Sequence, residues 1–190
     1  GALPGWLAAL AARGAGYGRR TLGDRGAVLI HVGHRGAHLV HDPAVDGQGV
    51  VPHRGHEDVA SVEVPVLLLA HPRLVARCQE FGVSLDRPGI TVEQPLPYPE
   101  MVSAVLHARG VVTDSGGLQK EAYLLGVPCT TLRTESEWVE TLADGWNVLD
   151  PDLTRVQSSA SRPAPLAPRG TPYGDGRAAD AVVRALMGFA

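Results

Sequence analysis

One stretch decides the fold that this sequence predicts: Val111-Val112-Thr113-Asp114-Ser115-Gly116-Gly117-Leu118-Gln119-Lys120-Glu121-Ala122. An apolar run over 110–113 is typical of a buried strand, and helical spacing begins at Leu118 and continues to Leu125. The small polar residues between them form a tight turn. Backbone N–H groups and the positive end of a helix dipole converge at such a turn, so it is suited to bind an anion. An ordinary capped helix, with Asp114 or Ser115 as the N-cap, is the alternative interpretation.

The residues of this turn fit a phosphate and a sugar. Gly116 and Gly117 would let a phosphate approach the backbone, and Ser115 supplies a hydroxyl. Glu121 lies about one turn further along the same side of the helix, where its carboxylate could accept hydrogen bonds from sugar hydroxyls. A short Gly-Gly turn is less specific than a full nucleotide-binding fingerprint, so the pattern alone leaves both interpretations open.

Strands and helices alternate on both sides of this turn. Alternation at this interval predicts an α/β fold with a doubly wound parallel sheet and right-handed crossovers. Ligands of such sheets bind at the carboxyl ends of the strands, so the loops at 94–98, 113–117 and 133–137 should meet. The predicted strands are 27–32, 64–70, 90–93, 110–113, 129–132 and 146–149, and the predicted helices of the body are 74–81, 99–108, 118–125 and 135–143.

The chain divides into four predicted parts. Residues 1–26 form an N-terminal helix (3–12) and a lead-in. The sheet domain occupies 27–150, although 33–61 follows neither the helical nor the strand period and is an aberrant or loop segment. Residues 151–175 contain five prolines and form a linker with little core, and 176–190 regain helical spacing as a C-terminal helix that docks on the body.

Composition excludes several classes of protein. The 190 residues are 44% hydrophobic and carry a formal net charge of −3, which gives no electrostatic footprint for nucleic acid or an anionic membrane. No apolar run reaches the roughly 18 residues of a membrane span. The two cysteines, Cys78 and Cys129, each lie in apolar sequence, which predicts buried, reduced thiols in a cytoplasmic protein.

Several motifs occur in the order and spacing that a known family has. The sequence over 62–150 resembles the non-hydrolysing UDP-N-acetylglucosamine 2-epimerases. The matching motifs are Ala70-His71-Pro72-Arg73, Pro95-Leu96-Pro97-Tyr98, the opening stretch from Thr113 to Ala122, Leu125-Gly126-Val127-Pro128, and Leu132-Arg133-Thr134-Glu135-Ser136-Glu137-Trp138-Val139-Glu140-Thr141.

The resemblance implies a two-domain fold like that of GT-B glycosyltransferases, with a UDP-sugar in the cleft between Rossmann-like domains. This chain is similar to the C-terminal, UDP-holding half. The family eliminates UDP from UDP-GlcNAc to leave 2-acetamidoglucal and adds UDP back with inversion at carbon 2, which gives UDP-ManNAc. No metal or nicotinamide cofactor is implied, and full-length members are usually cytoplasmic homodimers.

The resemblance also assigns roles to residues. Ser115, Gly116 and Gly117 are expected to hold the diphosphate and Glu121 the ribose hydroxyls. Leu96 and Met101 occupy the positions that line the uracil pocket.

Three further residues around these motifs have two interpretations each. Trp138 stands where many members have a ligand-contacting arginine, as in a second branch of the family, and is either a cleft residue or core packing. Glu137 is expected to reach the substrate, while Arg133 could instead fix the turn through an internal ion pair. His71 either lines the cleft or is a loop histidine beside the sheet.

The candidate catalytic residue is His34. The family has a His-Arg-x-Glu-Asn motif after the first strand of this half, and His34-Arg35 matches its first two positions, but the Glu and Asn are absent. Family-like sequence on both sides of 33–61 leads to the hypothesis of a reading-frame slip or decay there. In the family the acid/base carboxylates belong to the other domain, so an inactive nucleotide-sugar-binding fragment is one alternative function. A GT-B glycosyltransferase domain, which would also hold UDP near a helix N-terminus, is another.

Several histidines lie close together in the sequence, from the end of the first predicted strand onward. His31, His34, His38 and His41 lie close together with Asp42, which resembles a zinc cluster. Glycines between them argue against one shared helical face, so a solvated loop is the preferred interpretation and no metal is predicted.

Overall fold

The computed structural model describes residues 27–32, 64–155, 158 and 162–188. The predicted helix at 3–12, the segment 33–61 and the candidate residue His34 lie outside these ranges, so they stay predictions.

Six strands form one parallel sheet in the described part of the chain. They are β1 (Val28–Val32), β2 (Val66–Ala70), β3 (Ile90–Glu93), β4 (Gly110–Thr113), β5 (Cys129–Thr131) and β6 (Asn147–Leu149), in the spatial order β3-β2-β1-β4-β5-β6. All neighbouring strands pair in parallel. The chain winds outward in both directions from the β1–β4 pair, and a ligand crevice forms where the direction changes. The predicted doubly wound parallel sheet is confirmed.

Helices connect these strands. They are α1 (Pro72–Glu80), α2 (Tyr98–His107), α3 (Gly116–Leu125), a 3₁₀ segment η1 (Val139–Gly145) and, after the sheet, α4 (Ala178–Gly188).

The predicted helix at 135–143 is wrong in both bounds and type. The chain is non-helical until η1 begins at Val139, because the Ser136 hydroxyl accepts the Trp138 N–H at 3.0 Å and the Glu137 side chain pairs with Arg133. η1 itself contains Asp144 in the left-handed region, at φ 55°.

The core occupies both faces of the sheet, as buried parallel strands require. Along β2 the side chains alternate. Leu67 and Leu69 join the core under α2 and α3, and Leu68 and Ala70 join the cluster under α1. Cys78 and Cys129 are both buried and free, so the predicted buried thiols are confirmed.

Two arginines attach the proline-rich segment to the body. Arg162 Nη2 donates to the carbonyl oxygens of Cys129, Gly145 and Trp146 at 3.0, 2.8 and 3.0 Å, around the amino ends of β5 and β6. Arg169 donates to carbonyl oxygens at the carboxyl end of α3, beside the left-handed Gly126 that ends this helix. Residues 162–177 contain no helix or strand, yet they are fixed to the domain by these bonds.

Helix α4 does not pack as predicted. None of its residues is buried, and Val182, Val183, Leu186 and Met187 are each more than half exposed. The predicted helix is confirmed, and its predicted docking on the body is wrong. Among the described residues, no helix combines the length and hydropathy that a membrane crossing needs.

We expect Arg162→Ala to lower the free energy of unfolding by about 2 kcal/mol, because backbone carbonyls at the ends of two strands lose a charged donor. Arg184→Ala, at an exposed position of α4, is the matched control and should stay within about 0.5 kcal/mol of the parent. Urea unfolding followed by circular dichroism measures both. Equal midpoints for the two variants would show that the arginine does not hold the segment.

Candidate functional site: the β4–α3 turn

The candidate site lies at the carboxyl edge of the sheet, where β1 and β4 are neighbours. His31 and Thr113 are register partners on these two strands. Two of the three loops predicted to meet at this edge do so, because Arg133 and Glu137 reach Gly116, the first residue of α3. The third loop contacts the same helix further along, where Tyr98 bonds to Glu121.

In the turn between β4 and α3, some backbone N–H groups donate to protein acceptors and others face the crevice. Ser115 is the N-cap, and its Oγ lies 3.5 Å from the Leu118 N–H that it accepts. The Ser115 N–H in turn donates to Thr113 Oγ1 at 3.0 Å. Helix geometry leaves the N–H groups of Gly116 and Gly117 without an intrahelical acceptor, at the positive end of the dipole. The capped-helix interpretation therefore describes Ser115, and the two glycines retain the anion-binding geometry.

The two glycines differ in their surroundings. A Cβ on Gly116 would lie 3.4 Å from both Arg133 Nη1 and Glu137 Oε2, whereas a Cβ on Gly117 would meet nothing within 4 Å. Gly116 is thus covered by neighbouring side chains, and Gly117 faces open space from which a ligand can approach.

Arg133 and Glu137 form a two-point ion pair over Gly116. Arg133 Nη1 and Nη2 donate to the two carboxylate oxygens of Glu137 at 2.8 and 2.9 Å. Arg133 is only 11% exposed, so the internal ion pair predicted for it is confirmed. Glu137 lies beside the turn, but Arg133 engages both of its oxygens. Its contact with a substrate stays a prediction.

Trp138 supports the same turn. Its indole Nε1–H donates to the carbonyl oxygen of Gly116 at 2.8 Å. The Lys120 ammonium lies 4.3 Å from the Trp138 ring centroid and 4.5 Å from that of Tyr173, a cation–π arrangement. The geometry favours a supporting role for Trp138, and its predicted contact with a ligand is untested.

A buried amide network lies beneath the turn. The fully buried Gln119 donates from Nε2 to the Ser115 carbonyl at 3.3 Å. Its Oε1 accepts from Ser136 Oγ at 2.6 Å and from Asn147 Nδ2 at 3.3 Å. Asn147 Oδ1 accepts from Thr131 Oγ1 at 2.7 Å. Sequence reasoning missed this network, although the helical spacing places a polar residue, Gln119, among core positions.

Glu121 has a partner that sequence reasoning also missed. Tyr98 Oη donates to Glu121 Oε1 at 2.9 Å. Burial raises the pKa of Glu121, and the hydrogen bond from Tyr98 acts in the opposite direction. Burial and the bond to the carboxylate raise the pKa of Tyr98 to about 12. Leu96 and Met101 are partly buried against the core that also contains α3, so the residues predicted for a uracil pocket lie on the Tyr98 side of the site.

Two histidines line the same edge of the sheet. His31 Nδ1 lies 3.4 Å from Thr113 Oγ1, and burial lowers the pKa of His31 while the nearby charge of Asp114 raises it. His71 caps α1, with its Nδ1 accepting the Arg73 N–H at 3.2 Å, so it is at least a structural loop histidine. The sequence signal for His31 is its position near the carboxyl end of β1, since ligands of parallel sheets bind at that edge. No group of three or more His, Cys, Asp or Glu residues in the described ranges could hold a metal ion.

The sheet order and the helix N-terminus at its carboxyl edge define a Rossmann-like α/β domain, and the geometry of this turn suits an anion. The chain matches the family model of UDP-N-acetylglucosamine 2-epimerase over residues 54–187, and it therefore belongs to that family.

Relatives share this assignment. A UDP-N-acetylglucosamine 2-epimerase homolog of Methanococcus maripaludis is 41% identical over 87 residues, which are 44% of this chain and 24% of the relative. A UDP-2,3-diacetamido-2,3-dideoxy-D-glucuronate 2-epimerase of Pseudomonas aeruginosa is 35% identical over 125 residues, 64% of this chain and 34% of the relative. The chain thus spans 24% and 34% of the length of these two proteins.

Solved structures share the fold. The UDP-GlcNAc 2-epimerase of Methanocaldococcus jannaschii matches with a TM-score of 0.70 at 23% identity, covering 92% of this chain and 49% of that one. The structure of that enzyme in complex with UDP-GlcNAc and UDP matches with a TM-score of 0.63 at 23% identity, covering 96% of this chain and 48% of that one. These neighbours are epimerases with the GT-B-like fold, and this chain corresponds to about half of them.

We expect Gln119→Leu to lower the free energy of unfolding by about 2 kcal/mol, because the Ser136 hydroxyl and one N–H of the buried Asn147 amide lose their acceptor. The control is Gln79→Leu, at an exposed position of α1, which should have little effect. Thermal and urea unfolding compare the two. Equal stability of both variants would mean that the network adds nothing to the fold.

Proposed function

We propose that this chain is the UDP-binding part of a UDP-N-acetylglucosamine 2-epimerase, which interconverts UDP-GlcNAc and UDP-ManNAc. One observation carries the proposal: the exposed N-terminus of α3, at the topological switch point, presents the N–H groups of Gly116 and Gly117 with Glu121 one turn beyond. The diphosphate binds at the two glycines and the Ser115 hydroxyl, and Glu121 accepts from the ribose. These groups follow α3 over roughly 6 Å, four residues at about 1.5 Å each.

The remaining predicted residues complete the proposed site. Leu96 and Met101 hold the uracil, Trp138 and Glu137 flank the diphosphate turn, and His71 faces the sugar from the end of β2. His34 is the catalytic candidate of the sequence. The UDP-GlcNAc and UDP bound to the Methanocaldococcus jannaschii enzyme support this ligand class.

The chemistry divides between this chain and the rest of the enzyme. Elimination breaks the bond between the anomeric carbon and the diphosphate oxygen while a base takes the proton from carbon 2, which leaves the double bond of 2-acetamidoglucal. Re-addition restores both bonds, with inverted configuration at carbon 2. The α3 dipole and the glycine N–H groups stabilise the charge that develops on the leaving UDP. The base must lie within hydrogen-bond reach of carbon 2, and the family resemblance places it in the other domain. No metal or nicotinamide takes part.

We place the proposed enzyme in the cytoplasm, as a homodimer whose product is used in polysaccharide biosynthesis. We assign residues 27–150 to the UDP-binding domain, with 151–175 as the connection to the terminal helix. A nucleotide-sugar-binding fragment without turnover is the second candidate, because the family resemblance assigns the acid/base carboxylates to the other domain.

Nuclear magnetic resonance of the protein incubated with UDP-GlcNAc tests the activity. Formation of UDP-ManNAc supports the epimerase, and UDP binding without interconversion supports the binding fragment. Transfer of the sugar to an acceptor would instead establish a glycosyltransferase and refute the epimerase.

We expect Gly117→Ala to weaken UDP binding about tenfold or more without lowering the thermal midpoint. The added methyl meets no protein atom within 4 Å but stands where the phosphate approaches, and a hydrogen bond to a charged group is worth roughly 1.5–3 kcal/mol. Isothermal titration calorimetry with UDP gives the dissociation constant.

Gly188→Ala is the matched control, because its Cβ also meets nothing within 4 Å and it lies on α4, outside the proposed site. It should bind UDP as the parent does. If Gly117→Ala bound UDP with unchanged affinity, the phosphate would not bind at this turn.

A further inference from the structure

We infer that Tyr98 is a positioning residue, which holds the Glu121 carboxylate so that its oxygens distinguish a ribose from a 2′-deoxyribose. This inference rests on the proposed function, since it specifies how the sugar of the nucleotide is read.

The contact joins two helices at the edge of the site. Tyr98 is the first residue of α2, and Glu121 lies in the middle of α3. The phenol hydroxyl donates to Oε1 of Glu121 at 2.9 Å. An ionised carboxylate has about four acceptor positions on its two oxygens, so this single bond fixes the rotation of the group and leaves most of its acceptor capacity open. The carboxylate is therefore oriented before any ligand arrives.

Orientation matters because of the chemistry of the sugar. A ribose presents two neighbouring hydroxyl donors, and a 2′-deoxyribose presents one. A fixed carboxylate accepts both ribose hydroxyls at once but cannot turn to improve a single bond. A carboxylate that rotates freely follows whichever hydroxyl is present, so it separates the two sugars less well. Pre-organisation by Tyr98 thus contributes selectivity more than overall affinity.

A purely structural role predicts a different result. Tyr98 is 43% exposed, and an exposed polar pair contributes little to folding stability. The chain offers a second pair of the same kind, in which Tyr173 Oη donates to Glu140 Oε2 at 3.2 Å. Tyr173→Phe keeps the ring that lies beside Lys120 and Trp138, and it removes only the hydroxyl that donates to Glu140, without touching Glu121.

The test is the ratio of dissociation constants for UDP and 2′-deoxy-UDP, measured by isothermal titration calorimetry. We expect the parent protein to prefer UDP about tenfold, the value of one hydrogen bond to a carboxylate. Tyr98→Phe should reduce this ratio about threefold or more, chiefly through weaker UDP binding, with an unchanged thermal midpoint. Tyr173→Phe should keep the parent ratio. In a Glu121→Ala background, Tyr98→Phe should have no further effect, because Tyr98 acts through Glu121.

The outcomes separate the inference from the proposed function. If the parent binds UDP selectively and Tyr98→Phe keeps the parent ratio, the positioning role is refuted and the UDP site stands. If Tyr98→Phe weakens both nucleotides equally, or lowers the thermal midpoint by more than Tyr173→Phe does, the hydroxyl is structural and the inference is also refuted. A parent protein that binds neither nucleotide overturns the proposed function and the inference together.

Discussion

The buried side-chain amide of Gln119 is the interaction on which the rest of this edge of the sheet depends. Its donor engages the carbonyl of the N-cap Ser115, and its acceptor engages Ser136 and Asn147. An amide in the protein interior is stabilising only when its groups are paired, and each unpaired group costs about 1–3 kcal/mol. The start of α3, the loop after β5 and the start of β6 are therefore held in one arrangement by a single side chain.

That arrangement determines the side from which a ligand can approach. Trp138 binds the Gly116 carbonyl, and the Arg133–Glu137 pair lies over the same residue, so one side of the turn is closed by the protein. Gly117 faces open space on the other side. The proline-rich segment contributes as well, because Arg162 fixes the amino ends of β5 and β6, and the network residue Asn147 is the first residue of β6. Rigid support of this kind lets backbone N–H groups act as a preorganised anion site.

The sequence predicted local elements well and non-local contacts poorly. The bounds of β3 and β4 were predicted correctly, because buried strands between turn residues have a strong local signature. The helix predicted at 135–143 failed because Ser136 takes partners from other parts of the chain, such as Gln119, 17 residues away. The network around Gln119 was not foreseen, since helical spacing shows that a position is buried but not what it bonds to. The exposure of α4 has the same origin: an apolar face predicts a helix, and it does not specify what covers that face.

The charges around the turn have a consequence for a reversible reaction. The Arg133 charge beside Gly116 is balanced by Glu137, and the Lys120 ammonium lies over two aromatic rings. Glu121, one turn further on, adds a carboxylate, and burial raises the pKa of this group. In the proposed site, attraction for the diphosphate would therefore come chiefly from neutral N–H dipoles at the helix N-terminus. In the proposed reaction UDP departs and then attacks again as a nucleophile. A site of dipoles stabilises the departing charge without the strong ion pairing that would hold the diphosphate oxygen back from re-addition.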